Sequence, residues 1–455
     1  MEDNKNKINV KNEEHQNALT DKMKQIFLNS FIIEVQSEED KKKEVKDIIS
    51  FNKEDTPKES DTEKEKSKFD DILAYKAEFG LKKISKKFHL FNYQCKNPNE
   101  DKIAYKLGKI LIYTYGKNFP KITNFKNKKT YTSDTNWGCM LRCGQMILSH
   151  GIYRLLKYKK LNTKDALFYT FSLFNNYPIK EVNLCKYFHN MIKKYYSILA
   201  EKEGESNNKK IKEFFPPFSI KTICEFGQFN DKMAGEWFSD VVMTSIFKKI
   251  SEYYELFNDN ELSLKIMNFQ SCIEIRDILR ECFIEKKYEK GNDKYIRLNN
   301  KLYYFDKMGI IFVNVRVGLE TIPKEYYPGI KELFNLKECI GIIGGKTRQA
   351  YYFIGYNDNE DSLLFLDPHV TKEDDKDINM NNILSKHVFK QAYLLKMTKM
   401  STAFTIGFCF RTYEEFLNLY EFWIKSKHSS VPILGLVKHP IVVEQKHQDL
   451  DGDDF

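Results

Sequence analysis

No stretch of this 455-residue chain is apolar for the length of a membrane span, and the opening MEDNKNKINVKNEEH has no signal-peptide core. Both absences point to a soluble protein of the cytosol or nucleus, and a cytoplasmic location is the simpler expectation. The nine cysteines are odd in number and scattered, with no CxxC pair, which excludes a disulfide framework and a cysteine-type zinc site. There is no internal repeat. RNP, zinc-finger and helix-turn-helix signatures are also missing, so the net charge of +9 does not by itself mark a nucleic-acid binder. A basic surface serves equally well against an acidic protein or an anionic membrane.

What the chain does have is a core. Hydrophobic residues make up 42% of it and aromatic residues 14%. The charge is unevenly spread: residues 1–70 carry 14 Lys against 18 Asp and Glu, which leaves an excess of +13 on the remainder. Residues 1–68, with EEDKKKEVKD and NKEDTPKESDTEKEKSK, read as a mostly disordered extension in which only MKQIFLNSFIIEV has helical amphipathicity. Polar insertions at 200–213 and 371–382 break a folded body spanning 69–440, and 441–455 is an acidic disordered tail. Helical periodicity starts at Cys139 and runs through Met140, Leu141, Ile147, Leu148, Ile152, Leu155 and Leu156. GIIFVNVRVGL is a strand, YYFIGYNDNEDSLLFLDPHV is a hairpin pair, and TYEEFLNLYEFWIKSK is a late helix. Helices followed by antiparallel strands make an α+β fold, not βαβ alternation.

Two positions invite chemistry. Cys139 follows Trp137-Gly138 at the start of its helix, where a positive dipole end and free N–H groups favour a thiolate. The alternative is a buried structural thiol, and the polar lead-in TSDTNWG speaks against it by holding this end near the surface. Cys143, one turn on, fits the plain core role better. Among the nine histidines, His150 lies on the same helix about 16 Å along the axis and is out of reach. His369 closes a strand as Asp367-Pro368-His369, where residues i and i+2 face the same side and Pro368 restrains the backbone. The carboxylate of Asp367 is then placed to hold one imidazole tautomer, as a base serving a thiol requires. A solvated turn after a strand remains the other reading of the tripeptide alone.

The block TSDTNWGCMLRCGQMI closely resembles the signature of the autophagins, cysteine proteases that process GABARAP-type ubiquitin-like modifiers of autophagy. YTYGKNFPKI, GEWF, VRVGLETIPKEYY, CIGIIGGKTRQAYYFIGY, FLDPHV and TAFTIGFCFRTYEEF are similar to further blocks of that family in the same order, over about residues 105–430. The resemblance implies a papain-like fold with a small additional subdomain. It implies Cys139 as nucleophile, His369 as base, Asp367 as orienting acid and Tyr115 as an oxyanion donor. Trp237 would cover the nucleophile, and Gly344, Gly345, Lys346, Thr347, Arg348 and Gln349, continuing to Ala350, would form a gate. No cofactor and no metal are implied. The expected partner is the modifier, free or linked to phosphatidylethanolamine, met through transient membrane-surface contact by a monomer without nucleic acid. Phe69-Asp70-Asp71-Ile72 has the pattern of a strand-adding docking peptide, or else starts a helix. The chain departs from the family at Gly116, usually Arg, at Ser239-Asp240, usually Gly-Pro, and at Thr347, usually Pro; these bear on gate stiffness and substrate fit. Two competing functions use the same residues: an acyltransferase of transglutaminase type, and a catalytically silent module that only holds the modifier.

Overall fold

The computed structural model describes residues 88–95, 109–177, 215–257, 263–288, 294–374, 376, 383–388, 391–427 and 432–436. All belong to one unit, Lys66–Tyr195 with Phe215–Phe455. The expected 1–68 extension, the Phe69–Ile72 motif, the 200–213 insertion, most of 371–382 and the 441–455 tail lie outside the described residues.

In chain order the strands are β1 (Phe88–Leu90), β2 (Tyr93–Cys95), β3 (Gly116–Thr123), β4 (Thr130–Ser133), β5 (Leu264–Gln270), β6 (Cys272–Ile273), β7 (Phe283–Lys286), β8 (Tyr295–Leu298), β9 (Lys301–Phe305), β10 (Met308–Arg316), β11 (Cys339–Lys346), β12 (Gln349–Asn357), β13 (Ser362–Leu366), β14 (Lys372–Glu373), β15 (Tyr393–Lys396), β16 (Ala403–Phe410) and β17 (Gly435–Leu436). The helices are α1 (Cys139–Tyr158), α2 (Thr163–Ser172), α3 (Ile220–Gly227), α4 (Asp240–Tyr253), α5 (Ile275–Cys282), α6 (Tyr327–Asn335) and α7 (Tyr413–Lys427). The main sheet runs β15-β13-β12-β11-β16-β10-β5, with β1 and β2 attached to β12. Its pairings are antiparallel apart from β5 on β10. The layout is α+β, as the order of helical and alternating patterns predicts.

Both faces of the sheet are covered, which is why β10 reads as an unbroken apolar run: MGIIFVNV is buried throughout. On one face Phe312 meets Phe247 of α4, and Ile310 and Ile340 approach α1 at Gly151. On the other face Ile311, Val313, Val315 and the alternate residues Phe404, Ile406, Phe408 and Phe410 of β16 join the core under α6 and α7. Phe408 and Phe416 both lie against Trp423, which is fully buried. Trp423→Ala should therefore cost about 3–5 kcal/mol. A urea midpoint unchanged from wild type would show that α7 does not seal this core.

The small subdomain is a separate three-stranded sheet, β7-β9-β8. It is joined to the body through aromatic contacts of Phe283 with Phe416 and of Phe305 with Phe410. Helix α1 is the central element: it is buried from Cys139 to Tyr153 between the sheet and α4. Such all-round burial is what brings its N-terminus beneath the surface instead of leaving it at the rim. The polar lead-in is mixed: Thr132 and Asn136 are exposed, whereas Asp134 is 0% exposed and its carboxylate accepts two hydrogen bonds from the buried Arg142.

Candidate active site

Cys139 opens α1 and is fully buried. Its cap residue, Gly138, offers no side-chain acceptor, and the first turn contains no acid, so the leading N–H groups stay available to an oxyanion. Glycine is needed at 138 for space: a Cβ there would lie 2.3 Å from Oδ2 of Asp134. Cys143 is also fully buried, and burial pushes its thiol well up, with the neighbouring Cys139 and Asp367 adding to the effect. That is a thiol kept neutral inside the core.

The strand β13 ends at Leu366 and delivers Asp367-Pro368-His369 beside this helix end. Nδ1 of His369 lies 2.5 Å from Oδ1 of Asp367, and the same oxygen accepts the His369 backbone N–H at 2.9 Å. The ring stands edge-on between Tyr115 and Tyr351, each centroid 5.5 Å away. Burial works against protonation of His369, but Asp367 and then the adjacent Cys139 thiol outweigh it and raise its pKa to about 9. Nε2 is buried and has no completed hydrogen bond. The thiol thus perturbs the ring without a bond of good geometry, as is common before a substrate tightens a catalytic site. Burial pushes Asp367 up, yet hydrogen bonds from His369, its charge and that of Lys346 bring it below the usual carboxylate value.

Tyr115 precedes β3 and is buried, its N–H bonded to the Pro368 carbonyl at 3.0 Å. Its hydroxyl abuts Cys139, and burial together with that thiol keeps it firmly protonated, the state of a donor. His150 is remote in role as well as in position: it meets the Tyr352 hydroxyl at 2.8 Å, and burial lowers its pKa to about 3.

The gate segment is not a loose loop. Gly344 pairs with Tyr351, Gly345 with Ala350 and Lys346 with Gln349, so only Thr347 and Arg348 form the turn of a tight hairpin. Arg348, the second of them, takes a left-handed φ of +62°. The hairpin reaches the site through Lys346, whose charge acts on Asp367, and through Tyr351. Trp237 is 37% exposed, which rules out the ordinary core role for it. Its turn packs against the strand that leads into the nucleophile's helix: Gly235 lies against Tyr131, whose ring meets Trp137 at 5.7 Å.

Three contributors were not singled out from the sequence. Tyr351 forms one wall of the imidazole, and burial followed by the charges of Asp367, Cys143 and Cys139 pushes its hydroxyl up to about 12. Its only signal was two-residue alternation along β12, which turns it to the same side as Phe353. Asp134 and Arg142 sit eight residues apart in the nucleophile block, and no local rule announces that they pair. Among the described residues no cluster of three His, Cys, Asp or Glu side chains is placed to hold a metal, and no helix is long and apolar enough to cross a membrane. The thiol, imidazole, carboxylate and phenol are together competent for acyl transfer through a thioester.

The profile of the peptidase C54 catalytic domain matches residues 100–422. The cysteine protease ATG4C of Xenopus laevis is 30% identical over 329 residues, which is 67% of this chain and 66% of that protein. Human cysteine protease ATG4C is 27% identical over 337 residues, 67% of each chain. Cysteine protease ATG4B of Gallus gallus is 25% identical over 327 residues, 67% of this chain and 72% of that protein. The chain thus spans about two thirds of the length of the curated relatives it matches. With a buried thiol at a helix start facing a carboxylate-held imidazole inside the matched region, the chain belongs to the peptidase C54 family and carries its cysteine-peptidase catalytic domain.

Proposed function

We propose that this chain is a cytoplasmic thiol protease of autophagy that cuts after the C-terminal glycine of a GABARAP-type ubiquitin-like modifier. The observation that carries the reading is the Asp367–His369 clasp beside Cys139 at the free end of α1. In this mechanism His369 holds Cys139 as thiolate, and the sulfur attacks the glycine carbonyl. The oxyanion takes hydrogen bonds from the Tyr115 hydroxyl and the Cys139 N–H. The imidazolium gives its proton to the leaving nitrogen, and water then hydrolyses the thioester. The same steps trim a precursor and release the modifier from phosphatidylethanolamine, the latter by transient contact of a monomer with the membrane surface. Asp367 orients the base, and neither metal nor cofactor takes part.

Trp237 and the hairpin Gly344–Ala350 restrict the cleft in this reading. The complete burial of Cys139 supports it, since a substrate reaches the sulfur only when something moves. Only a tail with glycine at the cut site threads beneath an indole, and one extra methyl there discriminates by roughly 10- to 200-fold. The test is cleavage of a precursor with glycine or alanine at that position, with mass analysis of the product. A free glycine carboxylate is expected for a protease; a new amide would favour the transglutaminase-type alternative, and binding without cleavage the silent module. The alanine tail should resist wild type, and Trp237→Ala should relax that resistance while slowing the natural substrate. Equal behaviour of Trp237→Ala and wild type toward both tails would remove the tryptophan from specificity.

A further inference from the structure

One guanidinium sits behind the three catalytic elements. Arg142, a turn into α1 from Cys139, is 2% exposed and donates from Nε and Nη2 to the two oxygens of Asp134 at 2.8 and 3.0 Å. Its Nη1 donates to Gln145 at 3.1 Å, which fixes it to its own helix. Asp134 Oδ1 also accepts the N–H of Gly116 at 2.6 Å, the residue directly after Tyr115. Its backbone carbonyl accepts the N–H of Gly138 at 2.8 Å, directly before Cys139.

The base-bearing segment joins from the other side. After His369 the chain pairs with β3 in parallel, Lys372 N–H bonding the Tyr115 carbonyl at 2.9 Å and Asp374 N–H that of Lys117 at 3.1 Å. The Asp374 side chain turns inward. Its Oδ2 accepts from Asn176 at 2.6 Å, and the charge of Arg142 acts on it. This inward turn depends on the absence of a side chain at 116. A Cβ on Gly116 would lie 2.7 Å from Asp374 Oδ2 and 2.8 Å from Arg142 Nη2. Neither group yields freely, because Asn176 holds the first and Asp134 holds the second.

We infer that the buried Asp134 and Arg142, with the part-buried Asp374, form a positioning cluster that fixes Tyr115, Cys139 and His369 relative to one another, and that Gly116 is the vacancy that admits Asp374 to it. None of the three touches the reacting atoms; each acts through the backbone that carries a catalytic residue. Arg142 is the shared partner because a planar guanidinium bonds one carboxylate through two nitrogens while its charge reaches another. Misplacing a reacting group by about 1 Å costs up to roughly 100-fold in rate, so the effect belongs in kcat more than in KM.

The inference rests on the catalytic assignment above, and the experiment separates the two. Gly116→Ala, Asp374→Asn, Asp374→Ala, the Gly116→Ala/Asp374→Ala double variant and Cys139→Ala are compared on a GABARAP-type precursor carrying a reporter after its glycine. Expected are losses of about 10- to 100-fold in kcat for Gly116→Ala and Asp374→Ala, with KM within twofold. The double variant should be no slower than Gly116→Ala, since removing the carboxylate makes room for the methyl. Asp374→Asn keeps the size and loses the charge toward Arg142, so it carries the test should Gly116→Ala not fold. Wild-type kcat in the Asp374 variants, losses that multiply in the double variant, or losses confined to KM would each overturn the cluster. Activity surviving in Cys139→Ala would instead overturn the catalytic assignment.

Discussion

Cys139→Ala should abolish cleavage, with a fall in kcat of about 10^5-fold or more, while leaving modifier binding measurable. The size follows from the absence of a second nucleophile in reach among the described residues. Cys143 is one turn away, but burial keeps its thiol neutral. Tyr115 and Tyr351 are both pushed toward their protonated forms. Among the described residues nothing else beside His369 is able to form the thioester, so the variant retains only what binding and the oxyanion donors supply. Binding survives because one sulfur atom is a small part of the surface that a folded partner covers. Calorimetric titration with the modifier, set beside a cleavage assay, checks both halves. Cleavage by Cys139→Ala within tenfold of wild type would sink the assignment of nucleophile, base and acid together.

Much of the fold was legible because its signals are local. The helix predicted from Cys139 begins there, since the apolar three- and four-residue spacing and the glycine before it agree. The hairpin predicted through YYFIGYNDNEDSLLFL is formed by β12 and β13 around an Asn/Asp turn. For Asp367 and His369, two-residue alternation and the proline between them allowed the contact that forms, while the tripeptide alone left a solvated turn equally open. What was not legible is long-range. TSDTNWG reads as a polar surface turn, yet Asp134 is buried, because its partner Arg142 arrives from the helix that follows. The start of the polar insertion after His369 reads as loop and instead forms β14 on β3. Charge patterns in sequence report solvation only when the partner is water; here the partners are other buried groups, and burying a charge demands such a partner. Gly344 and Gly345 enter the sequence reading only as part of a gate implied by the resemblance. The structure uses them within a paired hairpin, which leaves two residues for the turn.

Asp367→Ala should reduce kcat/KM by about 10^2- to 10^4-fold and should also move the alkaline limb of its pH profile downward. The competent form is thiolate with imidazolium. For a histidine whose pKa is raised in the folded enzyme, that form is present below the raised value and is lost as pH climbs through it. In wild type the limb is therefore expected near pH 9, the value to which His369 is lifted. Burial alone pulls the imidazole the other way, and the carboxylate at 2.5 Å is the larger of the two groups opposing it. Without that carboxylate, burial dominates and the imidazolium loses its proton at lower pH. The backbone N–H of His369, which now bonds Oδ1 at 2.9 Å, also loses its partner, so the ring loses orientation as well as charge. Asp367→Asn separates the two effects: it can keep a hydrogen bond to the ring but supplies no charge, so its limb should shift while its rate at the new optimum exceeds that of Asp367→Ala. A limb that stays near pH 9 in Asp367→Ala would show that the carboxylate does not set the charge state of the base.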